Sequence, residues 1–137
     1  MNALRVCIGS NDGVHIAPTH MGDTGEFFIY DVFAQRDAKF IDARTNVAID
    51  MEHASGEKMK MIIGILSDVD VFIANKDSPN FRRIAANTKH EPIVVKAQTV
   101  VEALRLIQKS FREIERMVAQ RQSAARSVET RELSLDA

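Results

Sequence analysis

Hydrophobic positions along the chain change their period near residue 55. Ahead of it, apolar residues gather in short runs rich in β-branched and aromatic side chains, which is the pattern of strands. "LRVCIGS", Leu4 to Ser10, is the first run and ends at Asn11-Asp12-Gly13, a turn signal. "EFFIYDVF", Glu26 to Phe33, and "AKFIDAR", Ala38 to Arg44, follow with Gln35-Arg36-Asp37 between them, and they predict an antiparallel hairpin. The loop over residues 11–25 is much longer than the roughly two to five residues that a connection between strands requires. It holds three of the six glycines (Gly13, Gly22 and Gly25), two of the four histidines (His15 and His20) and Met21.

Beyond residue 55, Met59, Ile62, Ile63 and Leu66 fall on one helical face behind a candidate N-cap at Ser55. "DVFIANK", Asp70 to Lys76, reads as a buried strand. Ser78-Pro79 then supplies an N-cap and the residue best tolerated at the first helical position, opening a helix that turns Phe81, Ile84 and Ala85 inward and stops near Asn87. "PIVV", from Pro92, is a fifth strand, and Thr99 with Glu102 makes a capping box for a last helix. On that helix Val100, Leu104, Ile107, Phe111, Ile114 and Val118 form a sustained apolar stripe. A helix covering a small sheet needs only about ten to fourteen residues, so the end of the stripe is expected to protrude or to pack against a second copy as a homodimer. From Gln120 the sequence turns polar and loses its period. Residues 1–119 are read as one domain and residues 120–137 as a polar, mobile tail.

This order predicts an α/β sandwich with a five-stranded mixed sheet and three helices. In such sheets ligands sit beyond the carboxyl ends of the strands where the strand order reverses. The long loop after the first strand and "NKDSP" after the fourth are therefore the candidate site. Eighteen Lys and Arg against nineteen Asp and Glu leave a net charge of -1, which gives no footprint of a nucleic-acid or membrane partner. The single cysteine, Cys7, makes no internal disulfide. No charged-then-apolar leader and no run of eighteen apolar residues is found, so a cytoplasmic location is expected.

With the elements in that order, "RVCIGSNDGVHIAPTHMGDTGEFFIYDV", "DARTN" and "SDVDVFIA" resemble segments of the dinitrogenase iron-molybdenum cofactor biosynthesis family, whose members include NifX and the C-terminal part of NifB. The resemblance runs from Leu4 to Gln108. It implies a ribonuclease-H-like three-layer α/β architecture without nuclease activity. It also implies an accessory protein, not an enzyme, that binds or carries an iron-sulfur or iron-molybdenum cofactor precursor during nitrogenase-type metallocluster assembly, between cluster donor and recipient proteins. The alternative is a protein-interaction or regulatory module of the same fold that no longer binds a cluster.

His20, among glycines and beside Met21, offers imidazole next to soft sulfur, a plausible donor set for an iron-bearing cluster; the plain alternative is a turn-stabilising or exposed histidine. His15 could face the same cavity if the loop folds back. His53, amid Met51, Met59 and Met61, is a further candidate metal ligand, although methionines at helical spacing are more often core filling. Ser78 opens a helix whose positive end, near Lys76, Arg82 and Arg83, suits an anionic ligand, as every helix start does to some degree. Cys7, mid-strand, reads as a small buried hydrophobe, and His90 as a residue that caps or solvates the end of the second helix. Asp12, Asp31, Asp68 and Asp70 invite comparison with a two-metal nuclease, but nothing in their spacing brings them together. No nucleophile elbow, phosphate-binding Gly-Lys loop or dinucleotide fingerprint is present.

Overall fold

The computed structural model describes residues 2–52 and 55–136, with side chains through Ser123. Strands β1 (Leu4–Ser10), β2 (Glu26–Val32), β3 (Lys39–Thr45), β4 (Val71–Ala74) and β5 (Glu91–Val94) form one sheet in the order β3-β2-β1-β4-β5. β2 is antiparallel to both β1 and β3, whereas β1, β4 and β5 run parallel, so the sheet is mixed as expected. The helices are α1 (Gly56–Ile65), α2 (Pro79–Asn87), α3 (Val100–Lys109) and α4 (Phe111–Asp136).

Alternation along the central strand β1 builds the layers, because successive side chains leave a strand on opposite faces. Leu4, Val6 and Ile8 enter a core with Val71 and Ile73 of β4 and the apolar stripe of α3 and α4. Cys7 points the other way, into a core of Phe27, Ile29, Phe72, Ile62 of α1 and Phe81 and Ile84 of α2. The sheet is therefore covered by α1 and α2 on one face and by α3 and α4 on the other. The caps anticipated in the sequence form: Ser55 accepts from Lys58 N, Ser78 from Phe81 N and Thr99 from Glu102 N.

Two expectations need correction. The last helix is divided at Ser110, making four α-helices rather than three among the described residues, and the break re-aims one apolar stripe from the β2 side of the sheet toward β5. Phe111, Ile114 and Val118 are also buried within the chain's own core, so the stripe needs no second copy to cover it. The helical backbone continues through Asp136. At the sheet edge, Glu91 N donates to Asp70 O and Val95 N to Ala74 O. Pro92 therefore faces the open edge, where a missing N–H leaves no ladder bond unmade.

Candidate functional site

β1 and β4 lie side by side and parallel, and their connections leave in opposite directions, toward β2 and toward β5. Beyond their carboxyl ends a cavity opens on the α1/α2 face. Residues 20–23 of the long loop wall one side, Lys58 and Met59 of α1 another, and Ser78 and Phe81 at the start of α2 the third.

The long loop reaches this position in two halves. In the first, Gly13 takes a φ of 77°, a left-handed backbone that glycine adopts without steric cost. Ile16 N then donates to Gln98 O and Val100 N to Val14 O, which ties that half to the start of α3. The second half crosses over β1, where Thr24 packs so closely that a Cβ on Gly9 would lie 2.8 Å from its methyl group. Residues Met21–Asp23 form one 3-10 turn. Asn46, 1% exposed, holds this turn from beneath: its Nδ2 donates to Gly22 O at 2.9 Å and to Thr24 O at 2.8 Å, and its Oδ1 accepts from Ala48 N.

Charge is arranged across the cavity wall. The Lys58 side chain, 3% exposed, places Nζ 2.6 Å from Asp23 Oδ1, with the carbonyls of Ile49 and Met51 at 3.4 and 3.5 Å. The other oxygen of Asp23 lies 3.9 Å from Nδ1 of His20. His20 thus turns Nδ1 toward a carboxylate at a distance longer than a hydrogen bond. Met21, buried in the α1/α2-side core, and Met59 also line the cavity. An imidazole beside soft sulfur fits iron-sulfur cargo in kind. The enclosed volume of about 30 Å³ fits only its attachment at the mouth, since it admits about two waters, whereas sites that engulf a small molecule are roughly tenfold larger.

Residues 2–110 match the family described as dinitrogenase iron-molybdenum cofactor. The chain belongs to that family. No curated protein matches it significantly. Membership associates the chain with the biosynthesis of the iron-molybdenum cofactor, as the resemblance implied.

Of the candidates singled out in this family member, His20, Met21 and Ser78 line one cavity. Ser78 Oγ accepts from Phe81 N as the helix cap, and Ser78 N–H already donates to Asp77 Oδ1. Arg82 pairs with the same Asp77, so part of the positive charge expected at this helix start is neutralised locally. His15 does not join them. Its loop half is tied to α3, and its Nδ1 sits 2.8 Å from Asp12 Oδ2 on an exposed turn, where hydrogen bonding to His15 holds the Asp12 carboxyl well below the usual carboxylate range. His53 lies outside the described residues.

Cys7 is fully buried, and burial pushes its thiol pKa far up, which suits a core residue and not a ligand. His90 does not cap α2. It is 2% exposed, stacks on Phe72 with ring centroids 4.7 Å apart and places Nδ1 2.6 Å from Val69 O. Three of the four aspartates gather around Arg5, whose side chain binds Asp31 and Asp68 and whose N–H donates to Asp70 Oδ2, so a cation occupies their midst; Arg44 binds Asp68 and Asp42, and Asp12 lies apart on the His15 turn. Among the described residues no three His, Cys, Asp or Glu side chains gather as a metal site would require. No helix of the described residues is long and apolar enough to cross a membrane.

Lys58 and Asp23 have no distinguishing signal in the sequence, and Met59 and Asn46 are marked there only as a helix-face residue and as part of "DARTN". A lysine one turn into a helix reads as solvent-facing, and an asparagine after a strand reads as a turn residue. "DARTN" did contain two of the residues that hold the structure together: Arg44 pairs with Asp68 and also donates to Ile65 O, and Asn46 holds the His20 turn.

Proposed function

We propose that this chain is a non-catalytic carrier that binds an iron-sulfur or iron-molybdenum cofactor precursor at the mouth of the β1/β4 cavity during metallocluster assembly. The reading rests on one observation above the others: His20, Met21 and Met59 line that cavity in a member of the iron-molybdenum cofactor family. The cargo is anionic, and it meets an imidazole, thioethers and a wall whose lysine is already neutralised by Asp23. Attachment through one imidazole leaves most of the cluster open to a recipient protein, and such a bond is reversible by ligand exchange. The donor and recipient are then cytoplasmic proteins that can each present stronger ligands, such as thiolates, to the exposed cluster.

A second reading, an interaction module that no longer takes a cluster, draws support from the small enclosed volume of about 30 Å³. Anaerobic incubation with an iron-sulfur cluster donor, followed by desalting, separates the two. Visible absorption together with co-eluting iron supports carriage, and a colourless, iron-free protein supports the interaction module.

A further inference from the structure

The α3/α4 face of the sheet is covered unevenly: α3 lies against β2 and α4 against β5, while Phe40 of the edge strand β3 stays 52% exposed. Phe40 stands opposite Tyr30, and Tyr30 opposite Val6, so all three point to this face. The rings of Phe40 and Tyr30 meet edge to face with centroids 5.5 Å apart. Beside them a groove of about 260 Å³ runs between α3 and the β2–β3 hairpin, with Val32 at its floor and Ala38, Val101 and Leu104 on its walls. Val101 is 55% exposed. A contiguous exposed apolar patch with a polar rim marks an interaction site.

Two opposite charges line this groove, Asp37 from the hairpin turn and Arg105 from α3, and both are exposed. Neither side chain has a hydrogen bond or ion pair with the described residues. They are not needed to hold the walls together, because Gln108 Nε2 does so by donating to Phe33 O at 3.0 Å and to Arg36 O at 2.7 Å. The charges also decide what fits. A two-fold axis normal to the surface, passing midway between Asp37 and Arg105, carries the position of each onto the other. Arg105 of a second copy then falls over Asp37, and the reverse pair forms at the same time. A patch of one sign would repel its own copy, whereas this one is complementary to itself, as a closed two-fold contact requires.

We infer that the groove between α3 and the β2–β3 hairpin is a two-fold interface with a second copy of this chain, in which Arg105 pairs with Asp37 of the partner subunit. Apolar and aromatic side chains at the centre with arginine among the contacts is the composition such interfaces favour. The surface differs from the end of the apolar stripe, which the chain's own core buries. It also lies on the opposite face of the sheet from the β1/β4 cavity, so both copies keep that cavity open.

Sedimentation equilibrium of the full chain over a concentration series tests the inference, with circular dichroism showing that each variant is folded. Wild type is expected to reach twice the mass of one chain. Arg105→Asp and Asp37→Arg each set like charges against one another twice, and each is expected to weaken association about tenfold or more. The double variant Arg105→Asp with Asp37→Arg restores opposite charges and is expected to recover the wild-type dimer. Leu106→Glu changes an exposed α3 residue outside the groove and is expected to leave association unchanged. A wild type that stays monomeric at about 1 mM overturns the inference. So does a dimer that is indifferent to the single charge reversals, one that the double reversal fails to restore, or one that Leu106→Glu breaks equally.

Discussion

The side-chain amide of Asn46, at the end of β3, donates to the carbonyl of Gly22 at 2.9 Å, so the edge hairpin holds the turn that carries His20. A second bond, to Thr24 O, comes from the same nitrogen and is buried, whereas the bond to Gly22 O is partly buried. Asn46→Ala removes both bonds and leaves the buried Thr24 carbonyl without this donor. The expected loss is about 2–4 kcal/mol of stability, measured by urea denaturation at constant m-value. Asn46→Asp is expected to cost at least as much, because a carboxylate cannot donate to either carbonyl.

The fate of the last helix gives a sharper test of packing. Phe111, Ile114 and Val118 each fill the core beneath α3 and β5, and Arg121 pairs with Glu91 and donates to Ala85 O. Deleting large buried side chains costs about 2–5 kcal/mol each, and a domain of this size has only about 5–15 kcal/mol in total. A chain ended after Ser110 is expected to be unfolded by circular dichroism and proton NMR. One ended after Ser123 is expected to keep a cooperative thermal transition.

Much of this architecture was legible beforehand, for identifiable reasons. The short apolar, β-branched and aromatic runs of β1 and β2 and the caps at Ser55, Ser78 and Thr99 are local signals, and local signals survive folding. The division at Ser110 was not legible, because an apolar stripe reads the same whether one straight helix or two segments carry it. At the site, His20 and Met21 stood out as unusual residue types in an overlong loop. Lys58 and Asp23 did not, since each acquires meaning only from a partner 35 residues away. His15 was drawn toward the site by its closeness in sequence, but the loop divides between the two faces of the sheet.

His90 carries a pH signature. Burial lowers its pKa from the ordinary 6.5; the Val69 carbonyl opposes that shift, Lys89 adds to it and Asp70 opposes it. Because the unfolded chain takes up the proton first, stability contributed by neutral His90 falls as pH drops from about 6.5 toward the lowered folded value. Asp70, its own pKa raised by burial, gains relative stability in the acid direction and masks part of the slope. The difference between wild type and His90→Phe, which preserves the stack on Phe72, isolates the histidine. Chemical denaturation across this range should show the wild type losing stability faster than the variant on acidification.

Cys7 is expected to be silent in both chemistry and cargo binding. With its pKa raised by full burial, the thiol should resist alkylation in the native protein and react only after unfolding. Cys7→Ala should load cluster like wild type, at a cost of about 1 kcal/mol in stability from the lost packing. A Cys7 variant that no longer loads would move the ligand set away from the loop.

The most direct test of the account is cluster loading by wild type, His20→Ala and His15→Ala, compared anaerobically at equal folded concentration by visible absorption and bound iron. His20 lines the cavity, and His15 is tied to Asp12 on an exposed turn. The account predicts loading by wild type and His15→Ala and loss of both signals in His20→Ala. Normal loading by a folded His20→Ala protein would contradict it.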